Sequence, residues 1–318
     1  MSAIEIAEIL IFPGFLFLLI LALFYEWIDR KFFARVQNRR GPVFAGPAGL
    51  FQPVADFLKL LSKEDIVPLA CDKLLFDATP IFYLALPLTA LFIVPIATQT
   101  GLVAFEGDLI FMMFIFALIA VTVFLAGWSS MSRFSIIGAV RAALQMLSYE
   151  IPLALAMIGP ALAAGSLSIS AIAQWQSNNM SWGLWLQPIG FGTAIVCMLA
   201  ELESVPFDIP EAETEIVAGW RTEFSGRKLA MFKLGRDLEL VLASALITAL
   251  FLGGAQQIGV IPPIVTFLVK TIPIILLFSF LRGIFARLRI DQMTGGMWKY
   301  LLPIAILQLL LILFNIGR

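Results

Sequence analysis

The chain has 318 residues, 60% apolar and only 14% charged, with a mean hydropathy of +0.96. Soluble domains carry about a quarter charged residues, so this composition excludes one and makes lipid the solvent. The formal charge of −1 supplies no basic footprint for nucleic acid, and the complete lack of histidine beside only two cysteines, Cys71 and Cys197, argues against a redox centre held by this chain.

A hydrocarbon core of about 30 Å takes roughly 20 apolar residues per helix. The apolar runs here are continuous rather than alternating, which selects helices over a barrel. Eight spans are predicted, near residues 4–27, 79–98, 109–128, 140–164, 184–202, 238–256, 260–281 and 299–315. The fold class is therefore all-α: a polytopic membrane protein with one transmembrane domain over residues 1–318. The first run lacks the short apolar region and small-residue cleavage site of a secretory signal and reads as a retained helix. At its end Glu26 and Arg30 stand at i and i+4, the spacing of a structural ion pair.

The connection over about 28–78 is long and basic. Gly41-Pro42, Gly46-Pro47 and Gln52-Pro53 punctuate it without any phosphate-loop pattern. It continues as VADFLKLLSKEDIVP, with Val54, Phe57, Leu58, Leu60 and Leu61 on one helical side and Asp56, Lys59 and Lys63 on another. That spacing predicts an amphipathic helix lying in the interface or against a partner; a plain connector is the alternative.

The fourth span carries Glu150 near its middle, where an ionised carboxylate costs about 2.5–3.5 kcal/mol on insertion scales. Pro152 removes the N–H that would bond the Ser148 carbonyl, leaving an acceptor and room for water in the same turn. A carboxyl so placed suits a proton relay, with a structural glutamate bonded to another helix as the competing reading. The stretch from Gln174 to Trp185 is polar and Trp-rich, as expected of an outer interface.

Residues 201–237 form the second long connection. Pro206 and Pro210 force a non-helical passage around Phe207 and Asp208, after which Glu211 can open a short helix. Between 201 and 223 stand seven carboxylates, Glu201, Glu203, Asp208, Glu211, Glu213, Glu215 and Glu223, against the single base Arg221. Such a density beside a membrane is not a routine solvated face. Glu211 and Glu215, at i and i+4, should share a face and titrate together. With Glu150, and with Asp237 and Glu239 at the start of the sixth span, these acids could chain proton acceptors from the loop into the bilayer.

Nineteen of the 21 basic residues fall in alternate connections or at their edges; only Lys270 and Arg318 do not. The positive-inside rule then places the basic loops in the cytoplasm and both termini outside, in a cell membrane.

The segments ARVQNRRGPVFAGPAGLFQPVADFLKLLSKEDIVP (34–68), SYEIPLA (148–154), AELESVPFDIPEAETEIVAGWRTEFSG (200–226) and RLRIDQMTGGMWKYLLP (287–303) resemble the membrane subunit of respiratory complex I called subunit 1, and its counterpart in membrane-bound [NiFe] hydrogenases. The resemblance implies a heel subunit with eight helices, seating a peripheral redox arm and carrying a glutamate-lined path toward antiporter-like and small membrane subunits. By motif match, Glu150 and Glu201 are path glutamates, and Glu211, Glu213 and Glu215 the acidic loop facing the arm. Arg40 would lie at the mouth of a chamber, with Arg35, Arg39, Asp56, Lys59, Arg221, Arg227 and Arg287 as the remaining docking candidates. Iron–sulfur clusters and a NiFe centre would belong to hydrogenase-like large and small partner subunits, with no cofactor or metal on this chain.

Departures from the pattern set the expected subtype. Quinone-reducing members usually read Ala-Glu-x-Asn-Arg-x-Pro-Phe-Asp, where this chain has Glu203 and Ser204. They usually read Ala-Glu-Tyr where it has Gly235, Arg236 and Asp237. A base lost and an acid gained argue against quinone binding and for the hydrogenase-type branch, with proton or sodium transport. The corresponding subunit of a quinone- or phenazine-reducing complex is the alternative, and a transporter acting without partners is a third reading.

Overall fold

The computed structural model describes residues 3–179, 187–257 and 259–315, and these are helical nearly throughout. Trp182, Trp185 and Arg318 lie outside the described residues. Among the described residues, six helical stretches are long and apolar enough to cross a membrane: Ala7–Val36, Lys73–Leu91, Asp108–Ser129, Arg133–Ala164, Pro263–Ile284 and Ile290–Leu313. The other two expected spans coincide with helix Pro188–Glu201, which is shorter, and with helix Gly226–Phe251, whose first half is crowded with charge.

The first expected span is interrupted. Helix α1 (Ala3–Leu10) and helix α2 (Phe15–Val36) are separated at Pro13 and Gly14. The chain passes so close there that a Cβ on Gly14 would stand 1.8 Å from the Ile9 carbonyl oxygen. Helix α3 (Gln52–Ser62) is the expected amphipathic helix. Asp72 opens α4 (Lys73–Leu91), its carboxylate accepting from the backbone N–H groups of Leu74 and Leu75. α5 (Asp108–Ser129) follows the expected limits, but α6 (Arg133–Ala164) begins seven residues early. At 1.5 Å per residue its 32 residues reach about 48 Å, longer than the bilayer core is thick.

After α7 (Ile169–Asn179), α8 (Pro188–Glu201) and the single turn α9 (Glu213–Ile216) comes α10 (Gly226–Phe251), the axis of the bundle. It packs against α2, α4, α7 and α11 (Pro263–Ile284), while α6 packs against α5, α8 and α13 (Leu302–Leu313). Beyond Asp237 nearly every α10 residue is buried, and small side chains such as Ala243, Ser244, Ala245 and Ala249 allow the close approach. The last expected span starts earlier, as α12 (Ile290–Gly296), and runs through a π-helical turn at Met297–Leu301 into α13. Pro303, which cannot donate to a carbonyl a turn back, sits just past that turn.

The basic connections meet at one end of the bundle. Lys228 pairs with Asp77 at 2.6 Å and Asp65 at 3.7 Å, the Ile66 N–H donates to Ser225, and the Leu288 N–H donates to the Pro206 carbonyl.

Candidate functional site

A cavity of about 20 Å³ lies between α4, α5, α6, α8 and α10, with Tyr83, Gln145, Tyr149, Glu201, Glu203 and Glu239 as its polar lining. Room for a water begins at about 10–15 Å³, whereas a benzene-sized guest has needed about 150 Å³, so the cavity has room for a water but not for a quinone ring. Tyr83 donates to Glu239 Oε2 at 3.0 Å, and the Tyr149 hydroxyl bonds the Glu201 carboxyl. Gln145 donates through Nε2 to the Ala200 carbonyl at 2.8 Å. Glu201 Oε2, Glu239 Oε1 and Gln145 Oε1 are buried and meet no donor among the described residues. Three acceptors facing one polar cavity call for donors that only water or the carboxyls' own protons supply.

Below the cavity the acidic loop folds back on itself. Gly219, in the left-handed region at φ +55°, lies so close to Pro210 that a Cβ would stand 1.8 Å from its carbonyl oxygen. This crossing delivers buried Trp220 to Glu203, with Nε1 donating to Oε2 at 3.1 Å. Arg221 lies over the same indole, 4.6 Å from the ring centre, and pairs with Glu211 and, at 3.9 Å, with Glu203. Arg236 of α10 grips both Glu211 oxygens, at 2.9 and 3.1 Å, and reaches the Leu202 and Glu203 carbonyls at 3.3 and 3.4 Å. Burial pushes Glu203 above the ordinary glutamate range, against the pull of Arg221, the Trp220 N–H and Arg236. Asp208 is likewise pushed up by burial, against Arg236 and Arg287.

Glu26 and Arg30 do pair, and their pair belongs to a wider network. Arg30 also donates to Asp56 of α3 at 2.7 Å, while Lys233 of α10 stands 3.8 Å from both Glu26 and Asp56. Asp237 hydrogen-bonds Glu26, and Asp29 is held by Ser279 and by Arg282 at 2.9 Å.

The expected pairing of Glu211 with Glu215 is corrected. Ala212, at φ +29°, breaks the helix that Glu211 was to open, and only Glu213–Ile216 is helical. The two carboxylates therefore diverge: Glu211 turns in to Arg221 and Arg236, while half-exposed Glu215 pairs with Arg141 at 2.7 Å and Arg287 at 3.4 Å. The hydrogen bond from Arg141 and the charge of Arg287 hold Glu215 below the usual carboxylate range.

Glu150 is half-buried on α6, with no ion pair or hydrogen bond among the described residues, and its neighbour Tyr149 is the residue that reaches the cavity. Glu213, Arg35, Arg39, Arg40, Lys59 and Arg227 are exposed at the basic end. Gln145, Tyr83, Tyr149, Lys233 and Arg236 were not singled out by spacing for the parts they play. A signal existed for the tyrosines: the chain has only four, and a Tyr buried in an apolar run needs a partner for its hydroxyl.

Membrane-length helices enclosing carboxyls and hydroxyls around a water-sized cavity define a polytopic membrane protein with a polar interior. The NADH dehydrogenase family profile matches residues 8–313. The chain is 38% and 37% identical, over 300 residues, to the H subunit of the NADH-quinone oxidoreductase in two strains of Dehalococcoides mccartyi, covering 94% of this chain and 84% of each relative. The chain belongs to the NADH dehydrogenase family. Both relatives carry the name of a quinone-reducing complex, so the expected hydrogenase-type branch is not what these comparisons bring forward.

Proposed function

We propose that this chain is the membrane coupling subunit of a complex I-type oxidoreductase, linking electron transfer in a peripheral arm to proton movement through its own carboxyls. The cavity carries the reading: Glu201 and Glu239, from different helices, each present a buried oxygen without a protein donor and each bond a tyrosine. A proton on either carboxyl has the other carboxyl, a hydroxyl or a water to pass to. Glu150, next to Tyr149 on α6, is the neighbouring carboxyl that this reading adds to the row.

The basic end of the bundle is the cytoplasmic face in this reading, with the peripheral arm seated on loops 28–78 and 201–237. Iron–sulfur clusters and any other redox centre reside in partner subunits. The two relatives support a quinone-reducing assembly over a hydrogenase-type one. The reading assigns the quinone no residue of this chain.

The test is Glu201→Gln and Glu239→Gln in the assembled complex, with electron transfer to a soluble acceptor measured beside ion transport. Transport lost while electron transfer continues supports the reading, and undiminished transport in both variants overturns it. Block of electron transfer by a quinone-site inhibitor supports the quinone-reducing assembly; co-purified nickel returns the hydrogenase-type one.

A further inference from the structure

Four charged side chains close the loop end of the cavity: Glu203 and Glu211 from the loop, Arg221 at its return, and Arg236 from α10. Both guanidiniums contact the same oxygen, Glu211 Oε1. Two cations this close in a largely buried place are tolerable only while two anions face them, and ionised Glu203 and Glu211 leave the cluster neutral. Glu203 takes a hydrogen bond from Trp220 and faces the Arg221 charge. Glu201 and Glu239 have no cation within 4 Å among the described residues.

We infer that Arg221 and Arg236 are positioning residues that keep Glu203 ionised, so that Glu203 serves as the fixed counter-charge of the cavity and not as a carrier of its proton. The inference rests on the proton-path reading above and divides its carboxyls into carriers, Glu201 and Glu239, and an anchor. The groups facing Glu203 are Tyr83 of α4, Tyr149 of α6, Glu201 of α8, Asp208, Glu211, Trp220 and Arg221 of the loop, and Arg236 and Glu239 of α10. Among them Arg221 and Arg236 are the only cations. Arg236 also fixes geometry, because one planar fork makes four hydrogen bonds, two to Glu211 and two to carbonyls, more than the three donors of an ammonium can make.

Charge and geometry separate in two variants of the assembled complex, Arg236→Gln and Arg236→Lys, each followed by infrared titration of carboxyl protonation and by the pH profile of redox-driven transport. Arg236→Gln removes a positive charge, so one carboxyl should titrate higher by roughly one pH unit or more and the transport profile should move with it. Arg236→Lys keeps the charge; its midpoints should stay at wild-type values while the rate alone falls. A fall in rate with unmoved midpoints in both variants would mean a merely structural arginine and overturn the inference. Glu203→Gln gives an independent reading if Arg236→Gln does not assemble: slowed transport at a shifted pH optimum supports an anchor, and abolition at every pH makes Glu203 a carrier and overturns it. The infrared titration reads protonation whether or not ions move, so a wild-type complex without transport would sink the proposed function and leave the arginines testable.

Discussion

Tyr83→Phe deletes one oxygen from the cavity wall and little else. The ring is 3% exposed and held between Phe232 and Trp220, with centroids 5.2 and 5.8 Å away, and Gly235 lies flat against it, so a phenylalanine ring keeps its place. The loss is the 3.0 Å hydrogen bond to Glu239 Oε2. Oε1 of the same carboxyl already meets no donor among the described residues, so the variant leaves Glu239 without one from the protein. A hydrogen bond to a charged group contributes about 1.5–3 kcal/mol and one between neutral groups about 0.5–1.5 kcal/mol. The tyrosine donor favours ionised Glu239, so its contribution is fully present at high pH and shrinks as pH falls and the carboxyl protonates. The difference in unfolding free energy between wild type and variant, measured in detergent across pH, should therefore widen upward in pH, with slower transport in the assembled complex. A difference under about 0.5 kcal/mol at every pH, together with unchanged transport, would refute the placing of Glu239 in the path.

Gly138→Ala sets a methyl 2.5 Å from the Trp220 nitrogen and 2.9 Å from the Pro210 oxygen, both backbone, and should cost about 1–3 kcal/mol and speed hydrogen exchange over residues 205–221; Gly192→Ala, with nothing within 4 Å, is the neutral control. Against the cost of burial, hydrogen bonds from Arg30 and Gln52 and the charge of Lys233 hold Asp56 below the usual carboxylate range. A depressed carboxyl stabilises above its unfolded pKa and loses that contribution as pH falls through the folded one, so α3 should exchange faster on acidification, and Asp56→Asn should remove the pH dependence. Lys270, whose ammonium donates to the Leu252 and Gly254 carbonyls at 2.7 and 3.0 Å, secures the end of α10; Lys270→Met should lower stability by about 2 kcal/mol or more in thermal unfolding.

Helix α3 was legible because its apolar residues recur at helical spacing, and the membrane class because lipid imposes run length and backbone satisfaction at once. The cavity was half legible: burial cost marks Glu201 and Glu239 as unusual, but their partners lie far along the chain. Tyr83 and Glu239 are 156 residues apart, and Gln145 and Ala200 are 55 apart, distances on which no local periodicity reports. Glu150 was read from its depth in the span, from Pro152 in the same turn and from a motif match; these say that a carboxyl there is costly and unusual, not which way it turns. The divergence of Glu211 from Glu215 escaped because i,i+4 reasoning assumes a helix, and Ala212 does not continue one. The break at Pro13 and Gly14 is hidden in the same way, since hydropathy sees an uninterrupted apolar run.

The acids sort by what stands opposite them. Glu26, Asp29, Asp56, Glu211 and Glu215 each face a cation within 4 Å, and a carboxylate neutralised in this way needs no proton to balance its charge. Glu201 and Glu239 face hydroxyls, an amide and one another's field, so a proton is the counter-charge within reach. α10 is where the two kinds of site adjoin. Asp237 and Glu239 are two residues apart, roughly 200° around the helix, so one joins the Glu26 and Lys233 network beside α3 while the other enters the cavity from the opposite side. The network beside α3 and the cavity are thus joined through one helix, α10, by residues on its opposite sides.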